Sequence, residues 1–440
     1  MGHVVNADRE YRLLQQKLDR MVRGAPDSPT LMKILRLLFS EEDVKLAGKM
    51  PGTPTSLKRL SRKFGVPPNE LLGRLDNMAR RGLLIDLEHN GQRWFSLAPV
   101  VIGFFEYTFM RVRDDLPVAE LARLFDRYMN QEDQFARSTF AGKTQIARSL
   151  VREEALSEGD CTEVPRTEIL DWQRASHVVR SASAIGVSLC SCRHKASHLG
   201  NVCDAPLRSC LSFNYVVPAL VRNGMAEPIG VDQAMRILEE SKAAGLAQTG
   251  DNVQRKLAYI CNCCGCCCDM MRAARQFDLR HAIVTSNWIV EVDAAKCTGC
   301  GLCADACPVD AIGLVERPDG EEPPKLAVRD EEVCLGCGVC YSACKSGAIA
   351  MKSREQRVVT PETVFDRVVM MAIERGKLAE MIFDQPQRLS HRALGRIVKI
   401  IERSPVFKAA MAIRPLRSAF LNTVVNQGKK RTGELSKILE

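Results

Sequence analysis

No stretch of the 440-residue chain is apolar over the ~20 residues needed to cross a bilayer, and the longest candidate, around Val100 to Phe105, is far shorter. The first residues, Met1 to Glu10, lack both a basic n-region and an apolar h-region, so no secretory signal is expected. Glycine patterns that cradle phosphates are missing as well. No Gly-x-Gly-x-x-Gly opens a helix after a strand, and no Gly-x-x-x-x-Gly-Lys-Ser/Thr loop occurs, so neither a dinucleotide fold nor a P-loop is visible. Nor does a nucleophile and base pair stand out. Residues 351 to 440 contain no cysteine. These absences argue against a membrane-spanning helix and leave no visible nicotinamide or flavin site for a two-electron reaction.

Cysteine is what the chain has in excess, with 19 residues. Without a signal sequence, that number argues for a reducing cytoplasm and metal ligation rather than a disulfide framework. Eight cysteines fall into two copies of one spacing, Cys297-x2-Cys300-x2-Cys303-x3-Cys307-Pro308 and Cys334-x2-Cys337-x2-Cys340-x3-Cys344. A thiolate every third residue lets one tight loop wrap three corners of a cube, while the fourth cysteine points away and serves the other cluster. The expected ligand sets are therefore Cys297, Cys300, Cys303 and Cys344 for one [4Fe–4S] cluster, and Cys334, Cys337, Cys340 and Cys307 for the second. Zinc sites more often take paired C-x2-C elements than this three-plus-one run.

On these motifs, residues 286 to 353 resemble the bacterial two-cluster ferredoxins. The resemblance implies a pseudo-symmetric βαββαβ domain that carries single electrons. The residue pattern agrees, since Trp288 to Val292 reads as a strand before the first loop and Gly347 to Met351 as a strand after the second. Two departures from the family are visible. Cys344 is followed by Lys345 where the family usually has proline, which puts a cation beside one cluster. A loop rich in proline and acid, Glu316 to Lys325, lengthens the connection between the halves.

A chain of this length should hold about three domains, each able to bury a core. The expected fold class is α+β: a mainly helical multidomain chain with a winged-helix-like N-terminal domain and a βαββαβ ferredoxin-like domain. The expected segments are 1–28, N-terminal helical; 29–99, winged-helix-like; 100–185, helical; 186–285, cysteine-rich; 286–353, ferredoxin; and 354–440, basic and helical. Leu31, Ile34, Leu35 and Leu38 form one amphipathic helix, Ser56 to Phe64 a second and Pro68 to Gly82 a third. A hairpin follows, with Leu83 to Glu88 and Arg93 to Leu97 joined at Asn90-Gly91, a type I′ signal. Three helices and a two-stranded wing resemble a winged helix. That resemblance implies a helix-turn-helix in which Asn69, Arg74, Asn77, Arg80 and Arg81 would enter the major groove and Arg93 would reach a phosphate. Glu70 and Asp76 dilute the positive stripe, and winged helices also dock proteins.

From 100 to 185 the clearest helical stretches are Leu116 to Tyr128, Lys143 to Leu156 and Trp172 to Ala184, with Cys161 alone on a polar stretch. Residues 351 to 440 hold 18 lysines and arginines against 9 aspartates and glutamates, which accounts for the net charge of +9. Such a tail suits nucleic acid, an anionic membrane or an acidic redox partner, but Val364 to Phe383 and Ala393 to Ile401 carry apolar residues at helical spacing.

Ten further thiols lie at Cys190, Cys192, Cys203, Cys210, Cys261, Cys263, Cys264, Cys266, Cys267 and Cys268. Neighbouring cysteines are poor disulfide partners, because their Cα atoms lie ~3.8 Å apart while a disulfide prefers ~4.4–6.8 Å. A helix from Asp232 to Ala244, capped by Asp232 and Gly245, separates the two groups and could fold them together. The region reads as a third iron–sulfur site. Cys190, Cys192, Cys203 and Cys210 are the first-choice ligands, and Cys261, Cys263, Cys264 and Cys267 could replace any of them. Zinc is the main alternative, helped by His194 and His198, and a redox-sensing thiol group is another, since Arg193, Lys195, Arg272 and Arg275 could lower nearby thiol pKa values. The Cys-Ser-Cys-Arg-His and Cys-Asn-Cys-Cys-Gly-Cys-Cys-Cys strings are similar to those of multi-cluster proteins of anaerobic bacteria that end in a ferredoxin domain.

Two functions are compatible with these features. The first is an iron–sulfur electron-transfer component of an oxidoreductase system, cytoplasmic, with a redox partner protein and no membrane span, although docking on a membrane complex stays open. The second is a redox-responsive regulator whose winged helix binds DNA. The two-cluster repeat favours the first, since sensing needs only one labile cluster.

Overall fold

After helix Ala7–Arg20, Ser28 starts the second helix of the N-terminal region by accepting a hydrogen bond from the Leu31 amide, and Pro29 fits its first turn. That helix, Pro29–Leu38, buries Leu31, Ile34, Leu35 and Leu38 as their spacing predicts. Ser40 and Asp43 form a capping box for helix Glu41–Ala47. Helices Leu57–Phe64 and Pro68–Arg80 follow, and strands Leu84–His89 and Gln92–Leu97 pair as a hairpin. Asn90 and Gly91 both have positive φ, as the type I′ turn requires. The two-residue strand Thr55–Ser56 adds a third strand beside Gln92–Leu97.

The computed structural model describes residues 7–140, 142–156, 170–318, 322–383 and 389–404. Cys161 and the stretch of the basic tail after residue 404 lie outside the described residues. The chain mixes helix and sheet, an α+β composition. It divides into two compact units, the first made of Met1–Thr144, Tyr215–Glu227 and Glu362–Glu440, the second of Gln145–Asn214 and Pro228–Pro361.

The first unit contains the elements above and a core of phenylalanines. Phe104, Phe105 and Phe109 surround Phe125, with ring centroids 5.2–6.3 Å apart, and Phe39 meets Phe104 edge-on. Helix Val364–Glu374 begins at a Thr363–Asp366 capping box. Helix Leu389–Arg403 leaves Leu394, Ile397, Ile400 and Ile401 exposed. No helix among the described residues is long and apolar enough to cross a membrane.

The second unit is built on an antiparallel sheet and the βαββαβ run. The sheet strands inside it lie, in spatial order, Ala147–Ser149, Ala247–Asp251, Tyr259–Cys263, Arg208–Phe213 and Ile185–Leu189. The sequence pattern predicts a helix over Lys143 to Leu156; the structure has strand Ala147–Ser149 there and only one 3₁₀ turn, Glu153–Ala155. Edge pairing with Ala247–Asp251 overrides local helix propensity, and all three strand residues are buried. Helix Val231–Ala243 is capped by Gly230 rather than Asp232, which lies in its first turn.

From Trp288 the elements run strand Trp288–Val292, helix Leu302–Asp305, strands Ile312–Glu316 and Lys325–Arg329, helix Val339–Ala343 and strand Ile349–Ser353. The outer two strands pair antiparallel, as do the inner two. Each short helix starts at a glycine in the left-handed region, Gly301 or Gly338, directly after the middle cysteine of its loop.

Candidate metal centres

The two loops of the βαββαβ run each wrap one cavity. The first is lined by Cys297, Cys300, Cys303 and Cys344, with Leu314 and Ile349 among the apolar walls. The second is lined by Cys307, Cys334, Cys337 and Cys340, with Val290 and Met351. Each cavity thus takes three thiols from one loop and one from the other. Soft sulfur donors around an apolar hole fit a cubane, whose four corners need ligands spread around its faces.

The loops close tightly only because glycine precedes the middle cysteine. A Cβ on Gly299 would stand 2.5 Å from the Lys325 carbonyl, and one on Gly336 would overlap the Trp288 carbonyl and the Ser286 hydroxyl. Main-chain N–H groups also turn toward sulfur, as where Ala311 N–H donates to Cys307 Sγ at 3.2 Å. Burial pushes the Cys337 thiol up to about 12 and raises that of Cys340. Holding either as a thiolate therefore needs positive charge close by, which a cluster's iron supplies. Arg152 donates its backbone N–H to the Cys337 carbonyl at 3.1 Å, and the Arg354 guanidinium donates to the Cys334 carbonyl at 2.8 Å.

The ten upstream thiols separate into two groups. Strand alternation puts Cys261 and Cys263 on one face of Tyr259–Cys263. The pairing Leu211↔Ile260, carried one step on, sets Cys210 opposite Cys261. Hydrogen bonds link Cys261 to Cys210 and Cys263, Cys263 to Cys268, and Cys268 to Cys192. Cys190, at the N-cap of helix Ser191–His198, feels the charges of Cys192 and Cys210, and its pKa is raised, chiefly by burial. Donation from Cys261, Cys268 and Thr249 brings Cys263 down to about 6, against the opposing effect of burial. Together Cys190, Cys192, Cys210, Cys261, Cys263 and Cys268 make one six-thiol group beside the sheet, with Cys263 and Cys268 buried and the other four partly buried.

The other group is Cys203, Cys264, Cys266 and Cys267, whose sulfurs all lie within 4.8 Å of one another. Cys203 approaches both Cys264 and Cys267 at 3.7 Å, and Cys266 lies 3.7 Å from Cys267. Donation from the Cys267 thiol lowers Cys264 to about 4, with the Cys267 amide and Arg193 adding to it against burial. The structure thus separates Cys203 from Cys190, Cys192 and Cys210, and it brings in Cys266 and Cys268, which the sequence reading did not name as ligands. The crowding within 263–268 was the available signal.

The surrounding cations have different roles. Arg193, 1 % exposed, places Nη1 3.8 Å from Cys264 Sγ. Lys195, fully buried, pairs with Asp269 at 2.5 Å, and Arg272 stands 3.7 Å from the same carboxylate. Arg275 pairs with Asp310 and donates to the Gly265 carbonyl at 2.7 Å. His194 and His198 lie with ring centroids 5.0 Å apart at a 43° tilt, and the compact four-thiol group contains neither.

The thiol region and the βαββαβ run share one core. Cys263 and Cys268 pack in the same buried cluster as Cys297, Cys303, Cys334, Cys337 and Cys340. A Cβ at Gly265 would come within 2.7 Å of the Pro308 carbonyl, so this turn lies directly against the residue after Cys307.

Residues 296–348 match the family model described as a 4Fe-4S dicluster domain. No curated protein and no solved structure matches the chain. The family match and the grouped cysteines make this an iron–sulfur protein of the electron-transfer kind, with at least one [4Fe–4S] cluster.

The residues read as DNA contacts sit in the first unit. Asn69, Arg74, Asn77 and Arg80 are exposed on helix Pro68–Arg80. Arg93 instead pairs with Asp76 at 2.7 Å and with buried Asp86 at 2.8 Å, and Arg81 pairs with Asp43 at 2.6 Å.

Proposed function

We propose that the chain is a single-electron carrier with two [4Fe–4S] clusters in residues 286–353 and a further cluster on the six-thiol group. Cys297, Cys300, Cys303 and Cys344 would hold one cluster, and Cys334, Cys337, Cys340 and Cys307 the second. The observation that carries the reading is the pair of cysteine-lined cavities, each closed by a fourth thiol from the opposite loop. Clusters there supply reversible one-electron chemistry. The residues contribute a largely apolar lining, in which Cys300 alone of the eight thiols is exposed, and a short connection between sites, since Gly265 abuts Pro308. Electrons would pass from the upstream thiol site by way of the Cys307 loop to a protein partner, which makes the chain a component of an oxidoreductase system.

Iron and acid-labile sulfide on anaerobically purified protein test this. About twelve irons per chain are expected, falling to about eight in Cys300→Ala, Cys337→Ala or Cys263→Ala. Unchanged iron in the first two variants would overturn the ligand sets of the dicluster region. About eight irons in the wild type, undiminished in the third variant, would remove the further cluster and leave the other two in place.

A further inference from the structure

Four of the upstream thiols are too close together for the chemistry assigned to the other sites. Sulfurs each ~2.3 Å from a central zinc form a tetrahedron with edges of ~3.8 Å. The three close approaches among Cys203, Cys264, Cys266 and Cys267 are each 3.7 Å, and all four sulfurs fall within 4.8 Å of one another. A four-iron cube, with an iron at every ligated corner, has no room inside that set. The dicluster loops provide the contrast, because among the described residues none of their eight thiols gathers into such a group.

We propose that Cys203, Cys264, Cys266 and Cys267 hold one zinc ion in an all-sulfur tetrahedron, separate from the iron–sulfur sites. Four ligands and no open position make it a structural site. It ties the loop carrying Cys203 to the turn 264–267, and through Gly265 that turn braces the Pro308 backbone. Arg193 supplies the outer shell. Its Nη1 reaches Cys264 Sγ, while its guanidinium also donates to the Pro206 and Asn262 carbonyls and to the Ser209 hydroxyl. It therefore bridges the two segments that bring the ligands and offsets the negative charge of four thiolates around a divalent ion. Geometry favours sulfur alone over a histidine-containing set, because His194 and His198 lie outside the group.

The test measures zinc and iron together on the full chain, purified anaerobically, with Cys203→Ser and Cys300→Ser as variants. About one zinc per chain is expected in the wild type, under about a tenth of that in Cys203→Ser, and an undiminished value in Cys300→Ser, whose iron falls instead. Zinc X-ray absorption on the wild type should show four sulfurs at ~2.3 Å, and it decides the matter even if Cys203→Ser does not fold. Wild-type protein without zinc, a zinc shell containing nitrogen, or loss of iron and sulfide rather than zinc in Cys203→Ser would each overturn the proposal. None of these results depends on whether the dicluster region is loaded.

Discussion

Gly336 and Gly347 have nearly the same backbone conformation, φ +62° and +67°, but different surroundings. A Cβ at Gly347 meets nothing within 4 Å, whereas one at Gly336 runs into the Trp288 carbonyl and Ser286. Gly347→Ala should therefore cost only left-handed strain, about 1 kcal/mol. Gly336→Ala must in addition move a backbone carbonyl away from the second loop, so it should cost more than about 3 kcal/mol and remove one cluster's share of iron. Thermal melts and iron counts on both variants check this, and equal behaviour would mean that conformation alone sets the requirement. The spacing of the eight cysteines was readable at this scale because the ligands and the loop that shapes them are local in sequence. The glycines' second role was not, since it depends on Trp288 and Lys325, which approach from elsewhere in the chain.

At the scale of elements, the N-terminal helices and the Asn90-Gly91 hairpin follow from periodicity, caps and turn chemistry, all of which act within a few residues. The division of the ten upstream thiols does not. It is set by the register between Arg208–Phe213 and Tyr259–Cys263, strands roughly fifty residues apart, and by the turn that sends Cys264, Cys266 and Cys267 off the end of the second strand. Strand Ala147–Ser149 escaped the sequence reading for a similar reason, as its partner lies about a hundred residues on. Arg93 shows how an element changes the meaning of a residue. The sequence offers it as a phosphate contact on the wing, but the hairpin aims it at Asp76 and buried Asp86, where Arg222 also donates at 2.8 Å. Arg93→Ala should destabilise the first unit by about 2–3 kcal/mol, because Asp86 keeps only part of its compensation. Denaturant unfolding of the variant provides the measure; an unchanged midpoint would show that the pairs contribute nothing net and that Arg93 serves another purpose.

For the whole molecule, the uneven placement of cysteine is the organising fact. The stretches that form the first unit contain none, so every described thiol belongs to the second. Seven of those thiols are part of the buried core around Val290 and Ile312, where hydrocarbon would ordinarily provide cohesion. On the proposed function, such a core draws stability from its bound metal, because metal affinity is then folding free energy. The first unit has its own phenylalanine core and its own caps, and its stretches contain no cysteine. Anaerobic chelation of iron and zinc should therefore expose strands Trp288–Val292 and Ile349–Ser353 to rapid amide hydrogen exchange, with protection falling by at least about a hundredfold. Strands Leu84–His89 and Gln92–Leu97 should retain theirs. Lower pH should promote the same loss, because the Cys337 thiol, pushed up to about 12 by burial, and the Cys340 thiol, raised likewise, reclaim their protons readily once the metal that displaced them is released. If all four strands lost protection together on chelation, the metal would be stabilising the entire chain, and the separation of a metal-dependent unit from a metal-independent one would be wrong.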